Sequence, residues 1–155
     1  MNIYDRMKEL GIALPTPPKK GGKYATVKLF SENLLYVSGI GPALNGQDIF
    51  LGKVGAEVCI EEGKQAARYA LLNLLSAVEA NIGDLNRIKS FVKILSFVSS
   101  NDGFFEQPAI MDAATEMLGN IFGEQVGIPA RSAIGVNVLP GNIPVEIEAI
   151  IELKQ

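Results

Sequence analysis

Hydrophobic residues recur along the chain at two spacings, and each spacing predicts one kind of element. In residues 60–81 they return every three or four positions, which predicts a long amphipathic helix, and residues 105–122 repeat this pattern. Residues 24–30, 34–40 and 88–98 are rich in β-branched and aromatic residues instead, which predicts strands. The apolar stripe of the first helix consists of Ala67, Ala70, Leu71, Leu74, Leu75 and Val78.

Turn residues separate the predicted strands from one another. Ser-Glu-Asn at 31–33 joins the first two strands into a hairpin, and Asn-Gly at 45–46 predicts a second tight turn. A third short strand is predicted over residues 49–52. Two further strands close the chain, one beginning after Pro129 and the other covering residues 144–150.

The resulting order, ββ(β)-α-β-α-β-β, predicts an α+β fold in which two helices pack on one face of a mixed sheet. The other face of such a sheet stays bare unless association covers it. At the N-terminus, residues 2–10 predict a short helix capped by Asn2, and residues 14–22 form a connector rich in proline and glycine. We therefore expect one domain over residues 1–155, with residues 1–22 as an N-terminal extension.

Composition narrows the chemistry that the chain can perform. A net charge of −3 with 48% hydrophobic residues fits a globular protein and does not favour nucleic acid as a partner. With no histidine and a single cysteine, most metal sites and the usual near-neutral base lack their side chains, so we expect no metal and no cofactor. Residues 1–10 lack the apolar core of a signal peptide, and no stretch has the length of a membrane span. A cytoplasmic protein without a membrane partner is expected.

Arg131 is the first candidate site residue, because it opens an apolar strand directly after Pro-Ala. Its guanidinium could clamp a carboxylate or phosphate, or form a structural ion pair with Glu146. Glu146 and Glu148 have the same parity, so both project from one face of the last strand. Glu146 could orient a water near Arg131, whereas Glu148 is assigned to a solvated or subunit-facing strand edge.

Three other residues have both a functional and a structural interpretation. Tyr24 starts a predicted strand, where a tyrosine is commonly a packing residue, and Ser38 precedes Gly39, where a serine is commonly a turn hydroxyl. Cys59 stands at the start of the long helix, where a thiol can be activated, although a lone cysteine there also serves for packing.

Several motifs resemble those of the RidA family, also called YjgF and, in older usage, endoribonuclease L-PSP. Near the C-terminus these are Pro-Ala-Arg-Ser at 129–132, Leu-Pro at 139–140 and Val-Glu-Ile-Glu-Ala at 145–149. The strand Leu-Leu-Tyr-Val-Ser-Gly at 34–39 and the helix-Gly-Asp-strand passage at 65–93 are also similar to the family pattern.

The resemblance covers residues 24–152 and implies a chorismate-mutase-like α+β fold, a homotrimer and clefts between subunits. It also implies that Arg131 binds the carboxylate of an enamine or imine such as 2-aminoacrylate, while Glu146 positions or activates water. Ser38 would line the cleft, and Tyr24 would match the cleft tyrosine of the family after a one-residue gap. The products would be a 2-keto acid and ammonia. Two alternatives are a non-catalytic trimeric protein that binds 2-keto acids and, third, an endoribonuclease.

The chain also departs from the family pattern. The family's frequent cysteine two residues after the arginine is Ala133 here, and Asp112 falls near the position where many members have a cleft asparagine. An acidic side chain there would repel a carboxylate substrate. Residues 119–128 form a longer segment than in typical members, and the N-terminal extension is additional. These departures indicate a divergent subgroup that retains the arginine but can differ in substrate.

Overall fold

The computed structural model describes residues 2–155. In chain order the elements are α1 (Ile3–Glu9), β1 (Val27–Phe30), β2 (Leu34–Ile40), β3 (Ala43–Leu44), β4 (Gln47–Asp48), α2 (Ile60–Ile82), β5 (Ile88–Ser99), α3 (Gln107–Phe122), α4 (Glu124–Gly127), β6 (Ala130–Val136) and β7 (Val145–Leu153). None of the helices in this described part of the chain is long and apolar enough to cross a membrane.

The main sheet has five strands in the order β1-β2-β7-β5-β6. Only β5 and β6 run parallel; the other neighbours are antiparallel, which confirms the predicted mixed sheet. Although β6 and β7 follow one another in the chain, β5 lies between them. The α+β architecture with packed helices is therefore as the sequence predicts.

The core lies between this sheet and the helices α2 and α3. Along β7 burial alternates strictly: Val145 and Ile147 are fully buried, whereas Glu146 and Glu148 are only partly buried on the opposite face. Helix α2 begins where Glu62 accepts a hydrogen bond from the backbone N–H of Cys59 and ends at Gly83, whose φ of 82° suits glycine.

The N-terminal helix α1 docks on the body of the protein. Its cap is as predicted, because the Asn2 side chain accepts hydrogen bonds from the N–H groups of Tyr4 and Asp5. Ile3 and Met7 are buried in the main hydrophobic core. So short a helix depends on such packing for its stability.

Several details differ from the sequence prediction. Helix α3 begins at Gln107 rather than at residue 105, and β7 continues to Leu153, beyond the predicted end at residue 150. Residues 24–26 precede β1 rather than belonging to it, and the predicted strand over 49–52 is wrong. The short strands β3 and β4 instead flank the Asn-Gly turn, while Phe50 and Gly52 take positive φ values of 55° and 120° that interrupt extended chain. Helix α4, a single turn within the longer 119–128 segment, is not indicated by the sequence pattern.

The face of the sheet that points away from the helices is left open in the single chain. The strand pairings place Lys28, Tyr36 and Ile150 in one row across it, and Phe97 and Ile134 in another. Tyr36 and Ile134 are 42% and 46% exposed, respectively. This face, which we call the open face, therefore presents apolar side chains to its surroundings.

Candidate functional site

A cavity of about 1090 Å³ lies where the end of β2 meets the start of β7. Its size is at the upper end of the roughly 300–1,000 Å³ that is typical of small-molecule sites. Strand ends, the β3–β4 turn and the Pro/Gly connector supply the lining. The polar side chains that matter most for chemistry are Lys19, Lys20, Tyr24, Ser38, Asp48 and Glu146.

Glu146 is one of two carboxylates that line this cavity, the other being Asp48. It stands on the open face because Val145 and Ile147 on either side of it are buried in the core. Its carboxylate lies so close above Gly39 that a Cβ at that position would overlap it. Residues 2–155 supply no hydrogen-bond partner to this carboxylate, so its oxygen lone pairs are available to a ligand or water.

Burial, and secondly the negative charge of nearby Glu148, raise the pKa of Glu146 above its ordinary value. A carboxylate with a raised pKa is a stronger base when it is ionised. Glu148 itself accepts a hydrogen bond of 2.9 Å from the Tyr36 hydroxyl, which raises the pKa of Tyr36. Glu148 is thus held on the open face beside Tyr36, where its negative charge contributes to the raised pKa of Glu146.

Ser38 and Tyr24 both line the cavity that contains Glu146. The Ser38 hydroxyl donates to the Ala25 carbonyl at 2.7 Å, which leaves its lone pairs free to accept a hydrogen bond. The Tyr24 hydroxyl accepts from the Gly21 N–H at 3.2 Å and so links the connector to the cavity wall. Three of the four predicted site residues therefore come together in a single chain.

Arg131, the fourth predicted site residue, does not line this cavity. Its register partner on β5 is Ile94, whereas that of Glu146 is Phe97, so the two residues are two inter-strand spacings and three residue positions apart. With strands about 4.8 Å apart and a rise of about 3.3 Å per residue, their Cα atoms are about 14 Å apart. Arg131 also turns towards α3, away from the open face, so an ion pair with Glu146 within one chain is wrong.

The actual partners of Arg131 are on α3. Its Nη1 donates to Asp112 Oδ1 at 2.8 Å and to Thr115 Oγ1 at 3.1 Å. Within residues 2–155 the other guanidinium nitrogens, Nε and Nη2, donate to no protein group, so one edge of the fork remains available. Asp112, expected to repel a substrate carboxylate, also holds the arginine in a fixed orientation.

Two further parts of the chain that were not predicted as site elements, Asn73 and the connector, also line the cavity. Asn73 is 2% exposed on α2 and donates to the carbonyls of Gly41 and Ala43, which fixes the strand end beside Glu146. A polar residue between Leu71 and Leu74 within the apolar stripe is a signal that could have found it. The connector is the second of these parts. Its proline and glycine content predicts an irregular segment but does not predict where that segment lies in the fold.

No three histidine, cysteine or acidic side chains among residues 2–155 lie close enough together to hold a metal ion. What the arrangement offers is a partly buried carboxylate, accessible to water, beside a hydroxyl that can accept hydrogen bonds. Arg131, on the edge strand β6, is a cation that could bind an anion. This set suits acid–base chemistry on a small polar molecule.

The fold and these groups define the class of YjgF/chorismate-mutase-like proteins. A family model described as "YjgF/chorismate mutase-like, putative endoribonuclease" matches residues 5–153. The chain belongs to this family, which is also called RidA.

Two relatives show where the chain stands within the family. Protein TCP17 of Trypanosoma cruzi is 37% identical over 148 residues, which are 96% of this chain and 92% of that protein. The crystal structure of Atu1372 from Agrobacterium tumefaciens is also 37% identical, with a TM-score of 0.89 over 98% of this chain and 92% of that one.

A 2-iminobutanoate/2-iminopropanoate deaminase of Dermatophagoides farinae is 30% identical over 144 residues, which are 92% of this chain and 95% of that protein. The identity to TCP17 and Atu1372 is higher. The chain is therefore a divergent member that lies nearer to those two proteins than to this deaminase.

Proposed function

We propose that the protein hydrolyses small enamine and imine intermediates, such as 2-aminoacrylate, to 2-keto acids and ammonia. The observation that carries this proposal is the Glu146 carboxylate, which has a raised pKa and no protein partner and lies beside Ser38 and Gly39 in a cavity of ligand size. The 30% identity to a protein named as an imine deaminase supports the same chemistry.

The site is completed by a second copy of the chain in a homotrimer. Within one chain Arg131 and Glu146 project from different faces of the sheet, so they can meet around one substrate only if they come from different subunits. Association of the subunits is favoured because it buries the apolar side chains of the open face and so removes them from water. In this arrangement the free edge of the Arg131 guanidinium binds the substrate carboxylate.

The reaction needs only an electrophilic imine, a water and a carboxylate that exchanges protons. The Glu146 carboxylate accepts a proton from water while the water oxygen forms a bond to the imine carbon. The imine is protonated on nitrogen, so when its C=N electron pair moves to nitrogen the product is a neutral amino alcohol. Protonated Glu146 then returns its proton to that nitrogen, and ammonia leaves as the hydroxyl loses its proton to Glu146 and becomes the keto group. Glu146 finally passes this proton to ammonia, which departs as ammonium and leaves the carboxylate ionised. An enamine first gains a proton on carbon to become the imine.

The test is 2-keto acid release from 2-aminoacrylate generated by a serine dehydratase, followed by reduction of the keto acid in a coupled assay. We expect the protein to accelerate release over the spontaneous rate. Glu146→Gln should lower kcat/KM by about 100-fold, in the range for loss of a general base. Arg131→Ala should abolish the effect by removing the carboxylate clamp.

Release at the spontaneous rate would contradict the proposed hydrolysis. In that case, saturable binding of 2-keto acids that depends on Arg131 would identify the alternative, a non-catalytic binding protein. Cleavage of RNA that disappears in Arg131→Ala would identify the ribonuclease alternative. The net charge of −3 argues against the latter, since RNA binding draws mainly on positive charge.

A further inference from the structure

The Pro/Gly connector forms part of the cavity that contains Glu146. Residues 16–21 line it together with Ser38 and Gly39. The connector is held at both ends: the Ser76 hydroxyl, nearly fully buried on α2, donates to the Pro15 carbonyl, and the Gly21 N–H donates to the Tyr24 hydroxyl.

The connector brings positive charge into the site. Among residues 2–155, Lys19 and Lys20 are the only cationic residues that line the cavity. Neither has a carboxylate of this chain within ion-pairing distance, whereas Arg131, outside the cavity, is already paired with Asp112. Unpaired ammonium groups beside a ligand cavity are suited to bind an anionic group of the ligand.

A minimal substrate leaves these two lysines without a role. 2-Aminoacrylate carries one carboxylate, which the proposed function assigns to Arg131 of a second copy. Lys19 and Lys20, which line the same cavity, therefore remain unexplained by a substrate of that size.

We infer that Lys19 and Lys20 bind a second carboxylate at the end of the substrate side chain, so that the substrate is the imine or enamine of an amino dicarboxylic acid. This inference rests on the proposed function and deepens it. A carboxylate suits the place better than a phosphate dianion, because Asp48 and Glu146 already contribute negative charge to the lining.

The experiment compares two 2-keto acids as product probes by titration calorimetry. 2-Oxoglutarate carries the second carboxylate and 2-oxobutanoate lacks it. We expect the wild-type protein to bind 2-oxoglutarate more tightly by about tenfold or more, as for a charge-assisted hydrogen bond. Lys19→Gln/Lys20→Gln should remove this preference while leaving the affinity for 2-oxobutanoate unchanged.

The control variant is Lys8→Gln/Lys23→Gln, which removes the same charge at exposed lysines that do not line the cavity. It should keep the preference for 2-oxoglutarate. Equal affinities in the wild type, a preference that survives Lys19→Gln/Lys20→Gln, or no binding of either acid would each overturn the inference. Equal weakening of both acids in that variant would also overturn it, since the lysines would then bind the carboxylate assigned to Arg131.

The hydrolysis assay separates this outcome from failure of the proposed function. A lysine-dependent preference for 2-oxoglutarate without acceleration of keto acid release supports the second carboxylate site and rejects the hydrolysis. Acceleration of keto acid release without a preference for 2-oxoglutarate supports the hydrolysis and rejects the second carboxylate site.

Discussion

Glu146 owes its proposed role to its surroundings. Glu146 and Glu148 stand two positions apart on the same strand face, yet only Glu146 lines the cavity and has no hydrogen-bond partner among residues 2–155. Glu148 is engaged by the Tyr36 hydroxyl. Two carboxylates in the same sequence context therefore differ in what they can do, because their neighbours differ.

The charge of Glu148 gives a test at the scale of one residue. Hydrolysis requires ionised Glu146, so activity should rise with pH through the pKa of that group, which burial and Glu148 hold above its ordinary value. Glu148→Gln removes the repulsion that favours the protonated form, so the pKa of Glu146 falls. The acidic limb of the kcat/KM profile should therefore move to lower pH.

Glutamine keeps an acceptor for the Tyr36 hydroxyl, so the variant should change charge with little change in packing. The measurement is kcat/KM between pH 4 and pH 9 for the wild type and Glu148→Gln. A limb that stays in place or moves to higher pH would show that Glu146 is not the titrating base.

At the residue scale the sequence could predict which side chains to consider but only some of their contacts. Parity alone correctly places both glutamates on one face. The partner of Arg131 could not be deduced, because Asp112 is 19 positions away and their contact depends on the packing of α3 beside β6. Ser38 and Tyr24 remain predicted ligand contacts, and both residues line the cavity.

At the scale of elements, the close approach of β2 and β7 shapes the site. Gly39 leaves the room that the Glu146 carboxylate fills. Gly39→Ala should displace this carboxylate and lower kcat/KM by tens of fold or more, since a shift of about 1 Å in a reacting group can cost about 100-fold. The matched control is Gly103→Ala, where an added Cβ meets nothing within 4 Å.

Both alanine variants should fold, which circular dichroism and the thermal midpoint check. If Gly39→Ala were as active as Gly103→Ala, the position of the Glu146 carboxylate above β2 would be irrelevant to the reaction. A loss confined to Gly39→Ala supports the assignment.

The long elements could be predicted and the short ones could not. α2, α3 and β5 carry enough periodic or β-forming residues to determine their type, and β2 was predicted to the residue. The strand over 49–52 was wrong because Phe50 and Gly52 adopt positive φ, which no apolar pattern indicates. The order of β6 and β7 in the sheet could not be predicted either. Strand β5 lies between them, and that placement depends on contacts between residues far apart in the sequence.

At the scale of the whole molecule, the open face of the sheet is the feature from which association of subunits is inferred. The predicted order of elements already implies that two helices cover only one face, and the structure shows Tyr36 and Ile134 exposed on the other. A single sequence contains no direct record of which surface packs against it. The homotrimer therefore remains a proposal, and with it the claim that each site takes Arg131 from one subunit and Glu146 from another.

The most direct test of that claim is activity in mixed oligomers. Arg131→Ala and Glu146→Gln, each inactive alone, are co-expressed with different tags, and the mixed species are purified and assayed for 2-keto acid release. If each site draws its arginine and its glutamate from different subunits, every mixed trimer contains one site of three with both residues intact. We predict recovery of about one third of wild-type activity in the purified mixed species. A mixture as inactive as its parents would contradict a site shared between subunits.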